Sequence, residues 1–128
     1  MVKRNRDRDN KTQREWRERN PFRFKCNSKK QDCLRRGITF NLTPEYLESI
    51  WVGKCPILGV TMDILSHKDE RYAPQIDRIN PEVGYVEGNV VWLSRRANNI
   101  KGNACLYELE AVVSWLRRAI DEKHRRIT

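Results

Sequence analysis

With 128 residues the chain has room for one domain and not for two comfortable ones. Residues 1–36 hold 14 basic side chains against five acidic ones, and the remainder holds 12 of each, so the entire net charge of +9 lies in the first 36 residues. The composition, 38% hydrophobic and 34% charged, predicts a small core carrying a solvated extension; no apolar run approaches the roughly 18 residues of a membrane span and no apolar stretch follows the charged N-terminus, so a bilayer protein and a secretion signal are excluded and the cytoplasm is the expected location.

A basic segment at 1–36 joined to a neutral remainder at 37–128 suits a polyanion, because each neutralised phosphate releases counterions without reading a base. The expected phosphate contacts are Arg14, Arg17, Lys25, Lys29, Lys30, Arg35 and Arg36, with Arg95 and Arg96 further along. The segment has few large apolar residues to insert, which disfavours a membrane surface. Residues 1–10 are almost wholly polar and predict disorder. From Lys11 to Arg36 the composition permits helix, interrupted at Asn20-Pro21 and stopped at Gly37. Trp16, Phe22, Phe24 and Leu34 give it only a thin apolar stripe. Cys26 and Cys33 would stand about 10 Å apart on such a helix, too far for a disulfide. No C-x2-C pair is present, so the four cysteines predict idle or buried thiols and no structural zinc.

"FNLTPEYLESIW" carries a helix start, with Thr43 as cap, Pro44 at the first helical position and Glu45 in the first turn. Leu47, Ile50 and Trp51 follow on one face. "CPILGVTM" reads as a strand end and a turn, and residues 66–73 as a polar loop. Gln75–Ile79 and Val90–Leu93 predict strands around a turn-rich loop, Asn80–Gly88. Ser94 caps a short helix ending near Lys101. Leu106, Leu109, Val112, Val113, Leu116 and Ile120 then recur at helical spacing, predicting an amphipathic helix capped at Asn103 and packed on the core.

The chemistry concentrates in "PQIDRINPEVGYVEGNVVWLSRRANNIKGN", residues 74–103. Strand, loop, strand and helix make a compact ββα unit in which Asp77 flanks the first strand and Asn98 lies one turn into the helix. If the helix crosses the paired strands, a carboxylate oxygen and an amide oxygen face each other. Both are hard ligands suited to a cation such as Mg²⁺ or Mn²⁺, which keeps several waters and accepts phosphate oxygens. Asparagines at 80, 89, 98, 99 and 103 are equally suited to caps and turns when taken singly.

This ordered set of residues resembles the HNH endonuclease family, also called ββα-metal or His-Me finger nucleases, and within it the small phage-encoded members. The family has an Asp-His pair on the first strand, an Asn after a glycine turn, an Asn or His nine residues later and a Lys three beyond. Here Asp77-Arg78, Gly88-Asn89, Asn98 and Lys101 stand in those places. "RRGITFNLTPEYL" and "CPILGV" before them and "RANNIKGNACLYELE" after them extend the likeness over about residues 35–116. The resemblance implies an α+β fold, a ββα-metal finger flanked by helices. It implies that Asp77 and Asn98 bind the divalent metal, that Asn89 ties the turn to the finger, and that Lys101 contacts phosphate.

Arg78 departs from the pattern, because a guanidinium does not accept a proton near neutral pH where the family's histidine does. Arg78 would instead hold a phosphate oxygen or stabilise developing charge. His67 is the leading substitute base and Glu87 a weaker one. The expectation is therefore a Mg²⁺- or Mn²⁺-dependent DNA endonuclease of nicking or double-strand action, a monomer or a homodimer, with two-strand cleavage favouring the dimer; the alternative is a non-catalytic DNA-binding module on a degenerate finger.

Overall fold

The computed structural model describes residues 6–65 and 69–127. In chain order the elements are α1 (Arg6–Arg19), α2 (Pro21–Arg36), β1 (Phe40–Asn41), α3 (Pro44–Ser49), β2 (Pro74–Arg78), β3 (Tyr85–Val86), β4 (Val90–Ser94), α4 (Arg95–Lys101) and α5 (Leu106–Ile127), with a 3-10 turn at Glu70–Tyr72 leading into β2. The class is α+β. The chain divides between Asn98 and Asn99 into two compact units.

Residues 6–10 are helical, within α1, where disorder is expected; residues 1–5 of that expectation lie outside the described residues. Arg17 and Arg19 lie in its last turn, where the helix dipole favours cations, and no glycine or proline interrupts. Every described side chain of α1, from Arg8 onward, is exposed. Asn20-Pro21 breaks the helix as its chemistry requires, and α2 starts with proline in its first turn. α2 ends at Gly37, whose φ of 67° is open to glycine at little cost; its N–H and that of Ile38 both reach the Cys33 carbonyl.

The second half of the basic segment is not an appendage. Cys26 and Cys33, seven positions apart on one side of α2, are buried in the core, and Phe22 stands edge-on to Trp51 and Trp92 at centroid distances of 5.8 and 6.0 Å. Trp51 and Trp92 complete the trio at 5.2 Å. A boundary at 36/37 therefore does not follow the packing. Charge is a property of the outward face of α2, and its inward face belongs to the same core as α3 and β4.

α3 is capped as its sequence dictates, the Thr43 hydroxyl accepting from the Tyr46 N–H at 3.1 Å, and its Leu47 is fully buried. Trp92 is buried on β4 and donates its indole N–H to the Leu47 carbonyl at 2.9 Å, which satisfies a polar atom that burial would otherwise penalise. The "CPILGV" stretch is a turn: Cys55 N–H donates to Val60 and Gly59 N–H to Cys55, beside an isolated bridge between Lys54 and Thr61. β2 and β4 form an antiparallel ribbon with Ile76 opposite Trp92 and Asp77 opposite Val91.

One pairing had no sequence warning. β1 and β3 run parallel, Phe40 beside Tyr85 and Asn41 beside Val86. The approach depends on Gly84, since a Cβ there would stand 2.6 Å from the Thr39 carbonyl oxygen.

In the second unit, α5 starts at Leu106, not after a cap at Asn103; Glu108 instead accepts from the Cys105 N–H at 2.9 Å. That backbone hydrogen bond holds the Glu108 carboxyl below its ordinary pKa, so this contribution to the helix start is present at neutral pH and fades as pH falls through the lowered value. The helix carries the apolar stripe expected of it, with Leu106, Leu109, Val112, Val113, Leu116 and Ile120 recurring along its 22 residues. A periodic apolar face specifies a side to cover and says nothing of what covers it. Among the described residues no helix is long and apolar enough to cross a membrane.

Because α2 is core and α1 is surface, the two truncations should differ. Removing residues 1–19 should leave a cooperative thermal transition by near-ultraviolet circular dichroism; removing residues 1–36 should abolish it.

Candidate functional site

The ribbon of β2 and β4 alternates its side chains between two faces. Pro74 and Ile76 are buried on one, and Gln75 and Asp77, both half-buried, stand on the other. Ser94 ends β4 and starts α4 without a gap: its buried hydroxyl accepts from the Ala97 N–H at 3.2 Å and lies 3.4 Å from the Cys55 sulfur. The Arg95 N–H then donates to the Ala73 carbonyl at 2.8 Å, so the helix leaves the ribbon opposite the start of β2. These two ties turn Asn98 back toward the strand. Its Nδ2 donates to Gln75 Oε1 at 2.7 Å.

That hydrogen bond sets the geometry of the site. Gln75 and Asp77 are two residues apart on one strand, so their side chains are neighbours on the same face, and Asn98 meets that face at Gln75. The carboxylate of Asp77 and the amide of Asn98 are thus brought to one side of the ribbon. Asp77 Oδ2 is buried from solvent. With the nitrogen of the Asn98 amide engaged by Gln75, the oxygen is the atom left to meet a cation. A carboxylate oxygen and an amide oxygen are both hard donors, of the kind that suits a Mg²⁺-like ion retaining waters and not a soft metal. Among the described residues no group of three or more His, Cys, Asp or Glu side chains gathers for metal binding.

Asn89 stands at the end of the loop between the strands and uses both ends of its amide there. Its Oδ1 accepts from the Asn80 N–H at 2.9 Å, and its Nδ2 reaches the carbonyls of Asn80, Val83 and Gly84 at 3.0, 3.3 and 2.9 Å. The Ile79 N–H donates to the Asn89 carbonyl at 2.8 Å, carrying the ladder one step past β2. Gly88, before it, donates its N–H to the Tyr46 hydroxyl at 2.8 Å, which fastens the loop to α3.

Arg78 does not share the face of Asp77. Its Nη1 donates to the Pro81 carbonyl at 2.9 Å and its guanidinium lies 5.0 Å from the ring centre of buried Tyr85. Strand alternation is the cause: the next residue along a strand must point to the opposite side. Adjacency in sequence suggested a pair acting together; the backbone separates them, and Arg78 clamps the turn instead. His67 lies outside the described residues, and Glu87 is exposed beside Gly88. Lys101 is in the last turn of α4, within the second unit.

The basic residues fall in several places. Arg17 lies over the Phe24 ring at 4.7 Å, and Arg14, Arg17 and Lys25 border a small groove with Ile64 and Leu65. Lys30, Arg35, Arg36, Arg95 and Arg96 are exposed. Asp32 pairs with Arg36 at 3.2 Å and Arg35 at 3.7 Å, and Arg95 with Glu70 at 3.4 Å. Lys25 reaches the start of β2, its ammonium 3.4 Å from the Pro74 carbonyl, and Lys29 lies 5.2 Å from the Tyr85 ring centre. All four cysteines are free thiols, with Cys26, Cys33 and Cys55 buried and Cys105 exposed.

Sequence reasoning missed Gln75. The signal available was its position two before Asp77, which puts both on one side of the strand. No family model, curated protein or solved structure matches this chain.

Replacing Asn89 with alanine should cost about 2–4 kcal/mol, since it removes hydrogen bonds to four backbone groups, measured as a shift of the denaturant midpoint. Asn89→Asp should be at least as unstable at neutral pH, because an ionised carboxylate would face three carbonyl oxygens with no hydrogen to offer. It should recover as pH falls and the carboxyl gains a proton.

Proposed function

We propose that the chain is a divalent-metal-dependent DNA endonuclease of the ββα-metal, or HNH, type, in which the β2–β4 ribbon and α4 form the finger. The observation that carries this reading is the Asn98 to Gln75 hydrogen bond, which brings the Asn98 amide to the strand face occupied by Asp77. Asp77 and Asn98 are the residues that would hold the cation, whose chemistry when bound is to neutralise charge on the phosphodiester and its departing oxygen.

The chain's own residues supply geometry and charge. Asn89 holds the loop that joins the strands and so keeps Asp77 in register with β4. Gln75 turns the oxygen of Asn98 outward by engaging its nitrogen. Arg78, spent on the Pro81 carbonyl and Tyr85, serves the finger's shape rather than proton transfer, for which a guanidinium is unsuited. Lys101 would meet phosphate, and the basic outer face of α2 would position the duplex.

The test is conversion of supercoiled plasmid to open circles with Mg²⁺ or Mn²⁺ and none with EDTA. Asp77→Ala and Asn98→Ala should both reduce cleavage to background while keeping the wild-type far-ultraviolet spectrum and DNA affinity in EDTA. Wild-type binding with no cleavage by any divalent ion would reduce the protein to a DNA-binding module. If His67 is the base, His67→Ala should lose the rising limb of the pH profile; full activity across pH would exclude it.

A further inference from the structure

Between α2 and the edge of β2 that faces away from β4 lies a cleft of about 340 Å³, lined by Lys25, Ser28, Lys29, Asp32, Arg35 and the Pro74–Ile76 edge. Its charge is mostly positive. Lys25 and Lys29 bring two cations and Ser28 a hydroxyl, while the one carboxylate, Asp32, pairs with Arg35 and Arg36. On α2 the positions 25, 28, 29, 32 and 35 repeat at helical spacing, so they line a single face that runs along the strand. That face lies next to the buried one carrying Cys26 and Cys33, which roots the cationic row in the core.

Lys25 is the unusual member. It is half-buried, and its ammonium makes one long hydrogen bond, 3.4 Å, to the Pro74 carbonyl, far fewer than the three an ammonium can donate. Burial lowers its pKa, and the neighbouring charge of Lys29 lowers it further. An anion between the two ammonium groups would relieve the second effect directly and offset the first.

Gln75 joins this cleft to the face of Asp77. It lines the cleft, and its Oε1 accepts from Asn98, which leaves the NH₂ end of the same amide for an acceptor. The spacing of two residues between Gln75 and Asp77, about 6.6–6.8 Å along a strand, is a short step along a nucleic-acid backbone.

We propose that the cleft between α2 and β2 is a phosphate subsite, in which Lys25, Lys29 and Gln75 hold a backbone phosphodiester of duplex DNA close to the one presented to Asp77 and Asn98. The placement beside Asp77 rests on the nuclease reading; the binding of phosphate does not. Lys25 and Lys29 supply charge, Ser28 and Gln75 supply neutral donors, and the strand edge sets how near the backbone can come. The site takes any base sequence, since nothing in it reads a base edge.

The test is binding of a fluorescently labelled duplex in EDTA, where no cleavage complicates the signal, over a series of salt concentrations. Lys29→Gln and Lys25→Gln should each weaken binding and reduce the slope of log K against log salt by about 0.9, whereas Lys54→Gln, at an exposed lysine away from the cleft, should leave the slope unchanged. Gln75→Leu should weaken binding at every salt concentration with the slope unaltered. Circular dichroism identifies a variant that fails to fold, and Lys29→Gln, whose lysine does not reach the strand backbone, decides the matter if Lys25→Gln fails. Slopes of the two lysine variants equal to wild type would overturn the proposal. So would displacement of the duplex by micromolar inorganic phosphate, which would make the cleft a site for a free anion. Altered slopes in a protein that does not nick plasmid would keep the subsite and remove the nuclease; nicking with unaltered slopes would do the reverse.

Discussion

The side-chain amide of Asn89 is the constraint on which the rest of the site depends. One donor end and one acceptor end, working on four backbone groups of the loop, close the path from β2 to β4. A two-stranded ribbon has little stability of its own in water, and its register could slip by one residue if the loop were slack. A slip of one would move Asp77 from the polar face to the core and bring Ile76 out to solvent. Asparagine is suited to the task because it alone at this size offers two donors and an acceptor in a fixed plane.

Two further ties extend that constraint outward. Gly88 reaches the Tyr46 hydroxyl and Trp92 reaches the Leu47 carbonyl, so the loop and the second strand are both anchored to α3, whose own start is set by the Thr43 cap. The trio of Phe22, Trp51 and Trp92 then carries the packing to α2. The chain of contacts runs from a basic helix through aromatic rings to a ribbon whose other face carries Asp77. The cationic row on α2 and the polar row on β2 are held at a fixed spacing because the same core lies beneath both.

Arg78 shows how neighbouring residues part company. A strand sends it to the side of Tyr85, where a guanidinium satisfies a turn carbonyl and lies over an aromatic face. The residue that shares the face of Asp77 is Gln75, two positions earlier rather than one later. The partnership follows from the period of the strand, and the pair of sequence neighbours that drew attention first is split between the two faces.

Much of the local structure was legible in the chain. Asn20-Pro21, Gly37, Thr43-Pro44 and Ser94 each stop or start a helix for reasons confined to a few residues, and the structure has those breaks and caps. The alternation of β2, the apolar run of β4 and the long periodic stretch of α5 were likewise visible, because period separates strand from helix. What the sequence could not contain was which face each element turns inward and against what. The burial of Cys26 and Cys33, the parallel pairing of β1 with β3 at Gly84, and the meeting of Asn98 with Gln75 are all contacts between distant positions, created only when the whole chain condenses. Residue type and spacing determined the elements and the charge of this protein; tertiary packing decided that the basic segment is half core, that Arg78 belongs to a turn, and that Asp77 and Asn98 share a side.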